Sequence, residues 1–173
     1  MTIHVYIVGT AHEIQCGNTE KATQEKIVAF HNEITRICST HKIRRVAEEM
    51  SMDGLRRQSV DKTIGQRVAT DYGICHHHID VNRSARAELS MDDALPAVAS
   101  LNVDVSDKHR HRLRQGAQKL CDEFREGVWI ARIISHNTWP VLFVCGSDHV
   151  TSVHKLFRQL GMKSRILHSD FDS

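Results

Sequence analysis

Two short turns in this sequence share the pattern Gly-x-x-His, and each follows an apolar run. Gly9–His12 comes after Ile3–Val8, and Gly146–His149 comes after Pro140–Cys145. An imidazole has an ordinary pKa of about 6.5, so near neutral pH it can move a proton or bind a metal ion. Two histidines in matching positions therefore indicate one shared site.

The apolar runs predict the elements that would bring these turns together. Strands are predicted at Ile3–Val8, Ile43–Met50, Ile74–Val81, Pro140–Cys145 and Arg165–His168. Helices are predicted from an Asn18 cap to about Thr40, from Ser51 to Gly73, from about Asp107 to His136 and between Val153 and Leu160, with short helices within 82–99. Strands that alternate with helices predict an α/β fold, with a mostly parallel sheet of about five strands and helices on both faces.

The long helix that begins near Asp107 is expected to bury one stripe of side chains. The apolar residues at helical spacing are Leu113, Ala117, Leu120, Phe124, Val128 and Ala131.

The composition is that of an ordinary folded protein. At 173 residues, we expect a single domain over 1–173. The net charge of +2 calls for no nucleic-acid partner. No apolar run reaches the roughly 18 residues that span a bilayer. Five widely spaced cysteines and no visible signal peptide favour free thiols in the cytoplasm. We expect a small-molecule or peptide substrate and no membrane partner, and the oligomeric state stays open.

Acidic residues follow two of the predicted strands, where a parallel sheet binds its ligands. The second strand ends at Glu48 and Glu49, and the third at Asp80. Because neighbouring residues face opposite sides of a strand, only one of Glu48 and Glu49 points into the site, and the sequence leaves open which one.

The glycines of the two turns have a predicted role beside the histidines. Without a Cβ, Gly9 and Gly146 let the chain turn and let backbone N–H groups approach a ligand. Gly9 and Gly146 are therefore predicted to bind the substrate. Asp80 is predicted to bind it as well, because it lies at the end of the third strand.

Four segments resemble a known superfamily when they are taken in order. They are VGTAH at 8–12, VAEEM at 46–50, FREGVWIARI at 124–133 and VCGSDH at 144–149. They are similar to the superfamily that contains TraB/PrgY, Tiki, the haem-uptake protein ChaN and the erythromycin esterases, in a compact bacterial branch. The resemblance implies catalytic roles for His12, Glu49, Arg125 and His149. This chain is much shorter than the better-known members and lacks their larger lids and inserts, so no substrate carries over.

The residues and the resemblance together predict a small hydrolase with one of two mechanisms. In the first, His12 or His149 is a general base, Glu49 orients it or activates water, and Arg125 holds a substrate anion. In the second, His12, His149 and a carboxylate, either Glu49 or Asp80, bind a divalent metal ion that supplies hydroxide. The alternative function is a non-catalytic module that captures a small anionic ligand or cofactor.

The chain holds thirteen histidines, and three of them are consecutive. If 74–81 is one strand, then His76, His78 and Asp80 share a face and His77 lies on the other. Adjacent histidines in a covered sheet are poor chelators, so this run is not expected to bind a metal ion.

Two cysteines and one basic run are further candidates for functional groups. Cys145 lies inside an apolar strand, so we expect a packed, unreactive thiol, and Cys16 is the better candidate nucleophile. The basic residues at 108–114 could contact the phosphate of a nucleic acid or nucleotide, but a charge run at the start of a long helix is expected to form a solvated face.

Overall fold

Five parallel strands form one sheet in this structure, a computed structural model that describes residues 4–88 and 107–171. The strands are β1 (His4–Thr10), β2 (Arg45–Glu48), β3 (Cys75–His78), β4 (Val141–Gly146) and β5 (Lys163–His168). The helices are α1 (His12–Cys16), α2 (Gln24–Thr40), α3 (Met52–Arg57), α4 (Ile64–Asp71), α5 (Arg83–Glu88), α6 (Asp107–Ser135) and α7 (Val150–Gln159), with a 3₁₀ turn at Ser147–His149. The predicted α/β fold is confirmed.

The strand order is β3-β2-β4-β1-β5, and every neighbouring pair is parallel. The apolar strand β4 is almost entirely buried and lies between β2 and β1. The carboxyl ends of these three strands are therefore side by side. This order brings together the two Gly-x-x-His turns and the Glu48-Glu49 pair.

Helices cover both faces of the sheet, as predicted. On one face, α2 and α4 pack against β1, β2 and β4 through Phe30, Ile34, Ile64 and Val68. On the other face, α6 and α7 pack through Trp129, Ile133, Val153 and Phe157. Among the described residues, no helix is long and apolar enough to cross a membrane.

The predicted helix from Asn18 begins later than expected. The chain forms the short helix α1 directly after β1 and leaves it at Gly17, whose φ of 66° lies in the left-handed region. Thr23, not Asn18, then caps α2 by accepting the Lys26 N–H. The Asn18 amide instead donates to the Gln58 carbonyl oxygen at 3.0 Å.

The predicted helix from Ser51 to Gly73 is two helices. Ser51 caps α3 by accepting the Gly54 N–H at 3.1 Å, and Thr63 caps α4 by accepting the Gln66 N–H at 3.0 Å. A second capping residue inside an apolar pattern thus marks the start of a second helix. Of the short helices predicted within 82–99, α5 covers 83–88, and the rest of that range lies outside the described residues.

The buried stripe of α6 is not the predicted one. Leu113, Leu120 and Phe124 are exposed. Among the side chains of α6 that the structure describes, the buried ones are Glu126, Trp129, Ile130 and Ile133. Both stripes have helical spacing, and the sheet packs against the one that carries the larger tryptophan and two isoleucines.

Candidate active site

Glu49 lies at the centre of the candidate site, with its carboxylate almost fully buried. Its Oε1 accepts a hydrogen bond from Arg125 Nη2 at 2.8 Å, and its Oε2 accepts the Gly146 N–H at 2.8 Å. The Nε2 atoms of His12 and His149 lie 3.9 Å and 3.7 Å from the same Oε1. The four residues that the resemblance implied as catalytic are therefore brought together around one carboxylate oxygen.

The backbone at the end of β2 decides which glutamate faces this site. Glu48 is the last residue of β2 and points to the face covered by α2 and α4. Glu49 follows it, and its side chain lies on the opposite face, where it contacts Arg125 and the Gly146 N–H. The alternative that the sequence left open is resolved in favour of Glu49.

His149 is held by a second buried carboxylate, Glu126. The carboxylate can only accept, so His149 Nδ1–H donates to Glu126 Oε1, at 2.8 Å, and Ser152 Oγ–H donates to the same oxygen at 2.6 Å. This leaves His149 Nε2 on the side of Glu49. Burial acts to lower the His149 pKa, but the hydrogen bond to Glu126 and the charge of Glu49 outweigh it, so the pKa is raised.

His12 is oriented by Gln15, one turn further along α1. Gln15 Nε2 donates to Glu48 Oε1 at 3.1 Å, so the amide oxygen faces His12 Nδ1, also at 3.1 Å. That oxygen can only accept, which puts a proton on Nδ1 and turns Nε2 towards Glu49.

Arg125 lies between two carboxylates, not free in the cleft. Besides Glu49, it contacts Asp80, whose Oδ1 accepts Arg125 Nε–H at 3.2 Å and Trp129 Nε1–H at 2.9 Å. Arg86 also pairs with Asp80. Burial acts to raise the Asp80 pKa, but the charge and hydrogen bonds of Arg125 outweigh it and hold that pKa below its usual range.

Asp80 does not share a face with His76 and His78, contrary to the expectation from strand alternation. β3 ends at His78, and the chain then leaves the strand geometry on which that expectation depended. Ile79 packs in the cluster under α6, and the Asp80 side chain contacts Arg125.

A polar cleft of about 1100 Å³ opens over these groups. His12, Glu49, Asp80, Arg125 and His149 all line it, together with Glu126 and Ser152. Its remaining lining includes both acidic and basic side chains: Lys21, Arg57, Arg86, Lys119, Asp122, Glu123 and Asp148.

The two glycines of the turns are placed differently from one another. The Gly146 N–H donates a hydrogen bond to Glu49 Oε2, so the backbone of this turn positions the carboxylate. Gly9 does not line the cleft but is buried: a Cβ there would lie 2.5 Å from Val150 Cγ2 and closer still to the Ser169 carbonyl oxygen. The glycine at position 9 is therefore required by close packing of the backbone.

Neither cysteine weighed as a nucleophile is accessible. Cys145 is fully buried, and burial raises the pKa of its thiol well above the ordinary value. Cys16 is also fully buried, and desolvation, with the charge of Glu48 next in effect, raises its pKa to about 12. Cys145 is packed in the core, as predicted, and Cys16 is equally buried, so the structure does not favour it as a nucleophile.

Two residues that orient the site histidines, Glu126 and Gln15, were not predicted from the sequence. Glu126 stands at helical spacing with Trp129, Ile130 and Ile133, and a carboxylate on a buried helix face is an informative signal. The stripe predicted for α6 from the sequence does not include Glu126. Gln15 has no comparable pattern, because its partner Glu48 is distant in the sequence.

Comparison of the chain with protein-family models, with curated proteins and with solved structures finds no match in any of the three. The resemblance to the TraB, ChaN and erythromycin-esterase superfamily therefore stays a prediction.

Proposed function

We propose that the protein is a small hydrolase in which His149 is the general base. The observation that carries the proposal is the hydrogen bond between His149 Nδ1 and the buried Glu126, which directs Nε2 towards Glu49 in the cleft. A carboxylate behind an imidazole sets its tautomer and stabilises the imidazolium that forms when it takes a proton. In this mechanism, Nε2 removes a proton from a water molecule that attacks the substrate.

His12 supplies the complementary group. Its Nε2 and that of His149 lie at similar distances from Glu49 Oε1, so this carboxylate can stabilise whichever imidazole is protonated. One histidine can then accept the proton from water, while the other, in its protonated form, donates one to the leaving group. Arg125 fixes Glu49 in this shared position.

The spacing of the ligand atoms favours the general-base mechanism over the metal-assisted one. Within the described parts of the chain, His12, Glu49 and His149 are not among the sets of three whose ligand atoms all lie within 4.8 Å of one another. Ligands around a tetrahedral zinc ion lie about 3.3 Å apart, given bonds of about 2.0 Å. A metal ion would require the two imidazoles to move together.

The alternative function is capture of a small anionic ligand or cofactor by the same cluster, in which Arg125 would be the cation facing the ligand. Two of its three nitrogens already donate to Glu49 and Asp80, and the third lies 3.6 Å from Asp122. Six carboxylates line the cleft against three guanidinium and two ammonium groups, so the lining has no excess of positive charge. A neutral ester or amide bond in a polar substrate is the better match to this cleft than a multiply charged anion.

The test is a screen of chromogenic esters, anilides and phosphate esters, followed by His149→Gln on any substrate that is turned over. We expect kcat to fall by about 10²–10⁴-fold, the usual contribution of a general base. His154→Gln is the matched control, since His154 lies on α7, contacts Ser164 and does not line the cleft. Equal turnover by wild type and a folded His149→Gln variant would exclude the mechanism.

A further inference from the structure

A second group of metal-ligand side chains lies on the face of the sheet opposite Glu49. The parallel register pairs Val46 with His76 and Glu48 with His78. Paired residues on parallel strands point to the same face, so Glu48, His76 and His78 converge beneath α4. Strand alternation predicted that the two histidines share a face, and the tertiary structure adds the carboxylate.

The three side chains are close enough to share one ion. His76 Nε2 lies 2.6 Å from Glu48 Oε2, and the rings of His76 and His78 are 4.6 Å apart at an angle of 83°. One ligand atom from each of the three residues lies within 4.8 Å of the other two. Small side-chain shifts would bring all three to the spacing of about 3.3 Å that a tetrahedral zinc ion requires.

One nitrogen of the His78 ring lacks a partner. His78 Nε2 is buried and makes no hydrogen bond. A buried polar atom without a partner costs stability, and a bound metal ion would satisfy it.

The carboxylate is held in place by groups that would surround a metal ligand. Gln15 donates to Glu48 Oε1, and the Thr63 hydroxyl donates to Oε2. Gly65 leaves room for this carboxylate, since a Cβ there would lie 2.8 Å from Glu48 Cδ. Hydrogen-bonded outer partners of this kind commonly fix metal-binding carboxylates.

We propose that Glu48, His76 and His78 bind one divalent transition-metal ion of the Zn²⁺ class. Two imidazoles and a carboxylate are ligands that suit Zn²⁺ and Co²⁺, and water would complete the coordination. Metal binding at His76 Nε2 would replace its hydrogen bond to Glu48 Oε2, because both atoms would then face the ion. Because β3 is an edge strand, the ion would tie it to β2, which is a structural role separate from the proposed hydrolase chemistry.

The test is a titration of the metal-free protein with Co²⁺, followed by visible absorption, and then displacement by Zn²⁺. Wild type is expected to bind one equivalent, and His76→Gln and His78→Gln to bind at least about tenfold more weakly. His77→Gln is the matched control, because His77 belongs to the same tripeptide but points to the other face and stacks on His136. His149→Gln should also bind like wild type.

Other outcomes would overturn the proposal. They are no binding by wild type, full binding by folded His76→Gln and His78→Gln variants, or a loss confined to His149→Gln. If a variant does not fold, X-ray absorption of the wild-type Zn²⁺ complex decides: two imidazoles with oxygen ligands support the site, and any other number of imidazoles excludes it. The readout is metal binding without substrate, so its failure is distinguishable from failure of the hydrolase proposal.

Discussion

Glu48 and Glu49 are neighbours in the chain, yet their carboxylates lie on opposite faces of the sheet. Glu48 accepts hydrogen bonds from Gln15 and Thr63 beneath α4, and Glu49 accepts them from Arg125 and Gly146 beside α6. Gln15 joins the two regions, since its amide contacts both Glu48 and His12. The environment of His12 therefore depends on both glutamates.

Replacement of Glu49 by Gln is expected to lower turnover while the protein stays folded. The variant removes the negative charge beside both imidazoles and weakens the bond to Arg125, which keeps Asp80 as a partner. We expect a fall in kcat of about 10²-fold and a loss of about 1–3 kcal/mol of unfolding free energy. Urea denaturation and steady-state kinetics measure the two effects. Glu33→Gln is the control, because Glu33 contacts Arg36 and His168 away from the cleft, and unequal kcat for it and wild type would contradict the prediction.

The pKa of His149 should fall when Glu126 is replaced by Gln. The variant removes the carboxylate whose hydrogen bond raises that pKa in the folded protein. Titration followed by NMR of the ring protons measures the change. An unchanged His149 pKa in a folded Glu126→Gln variant would rule out the pairing.

Stability should also depend on pH through His149. The pKa of His149 in the folded protein is raised above the unfolded value of about 6.5, so its protonation stabilises the fold. This stabilisation is fully present at pH values below the unfolded pKa. The stabilisation is lost as the pH rises through the folded pKa. The difference in unfolding free energy between wild type and His149→Gln should therefore shrink from pH 6 towards higher pH in urea titrations. A difference that grows with pH would have the opposite sign to the one expected.

Gln15→Leu should cost stability and release His12 from its orientation. The change leaves Glu48 Oε1 without its amide donor and His12 Nδ1 without its acceptor, at about 1–3 kcal/mol. Nitrogen-15 shifts of the imidazole should then show a mixture of His12 tautomers, which a purely structural defect would not produce. Gln118→Leu, at an exposed position on α6, should change stability by no more than about 0.5 kcal/mol. A single unchanged tautomer in Gln15→Leu would show that the amide does not orient His12.

Two Gly-to-Ala variants should change the free energy of unfolding in opposite directions. Gly9→Ala forces a Cβ against the Ser169 backbone and Val150, which should destabilise the protein by about 1–3 kcal/mol. Gly127→Ala, within α6, meets nothing within 4 Å and should stabilise it by about 1 kcal/mol through helix propensity. Thermal and urea denaturation measure both. A neutral Gly9→Ala would mean that the backbone at Ser169 can move away without cost.

The sequence by itself determined the alternation of strands and helices, because local apolar periodicity reports local structure. It also determined that His12 and His149 follow strands, since a Gly-x-x-His turn after an apolar run is visible in the chain. The sequence did not determine the helix boundaries near Asn18 and within 51–73, because several residues there can cap a helix and only packing selects among them.

The tertiary structure alone decided which partner each charged group has. Because β4 lies between β1 and β2, Gly146 lies beside Glu49. Because Trp129 of α6 packs against the sheet, Glu126 on the same helix faces His149. Arg125 then faces Asp80, which also accepts the Trp129 Nε1–H. It also placed Glu48, not Asp80, with His76 and His78. These contacts join residues far apart in the chain, and their energies depend on burial and distance, which no local pattern contains.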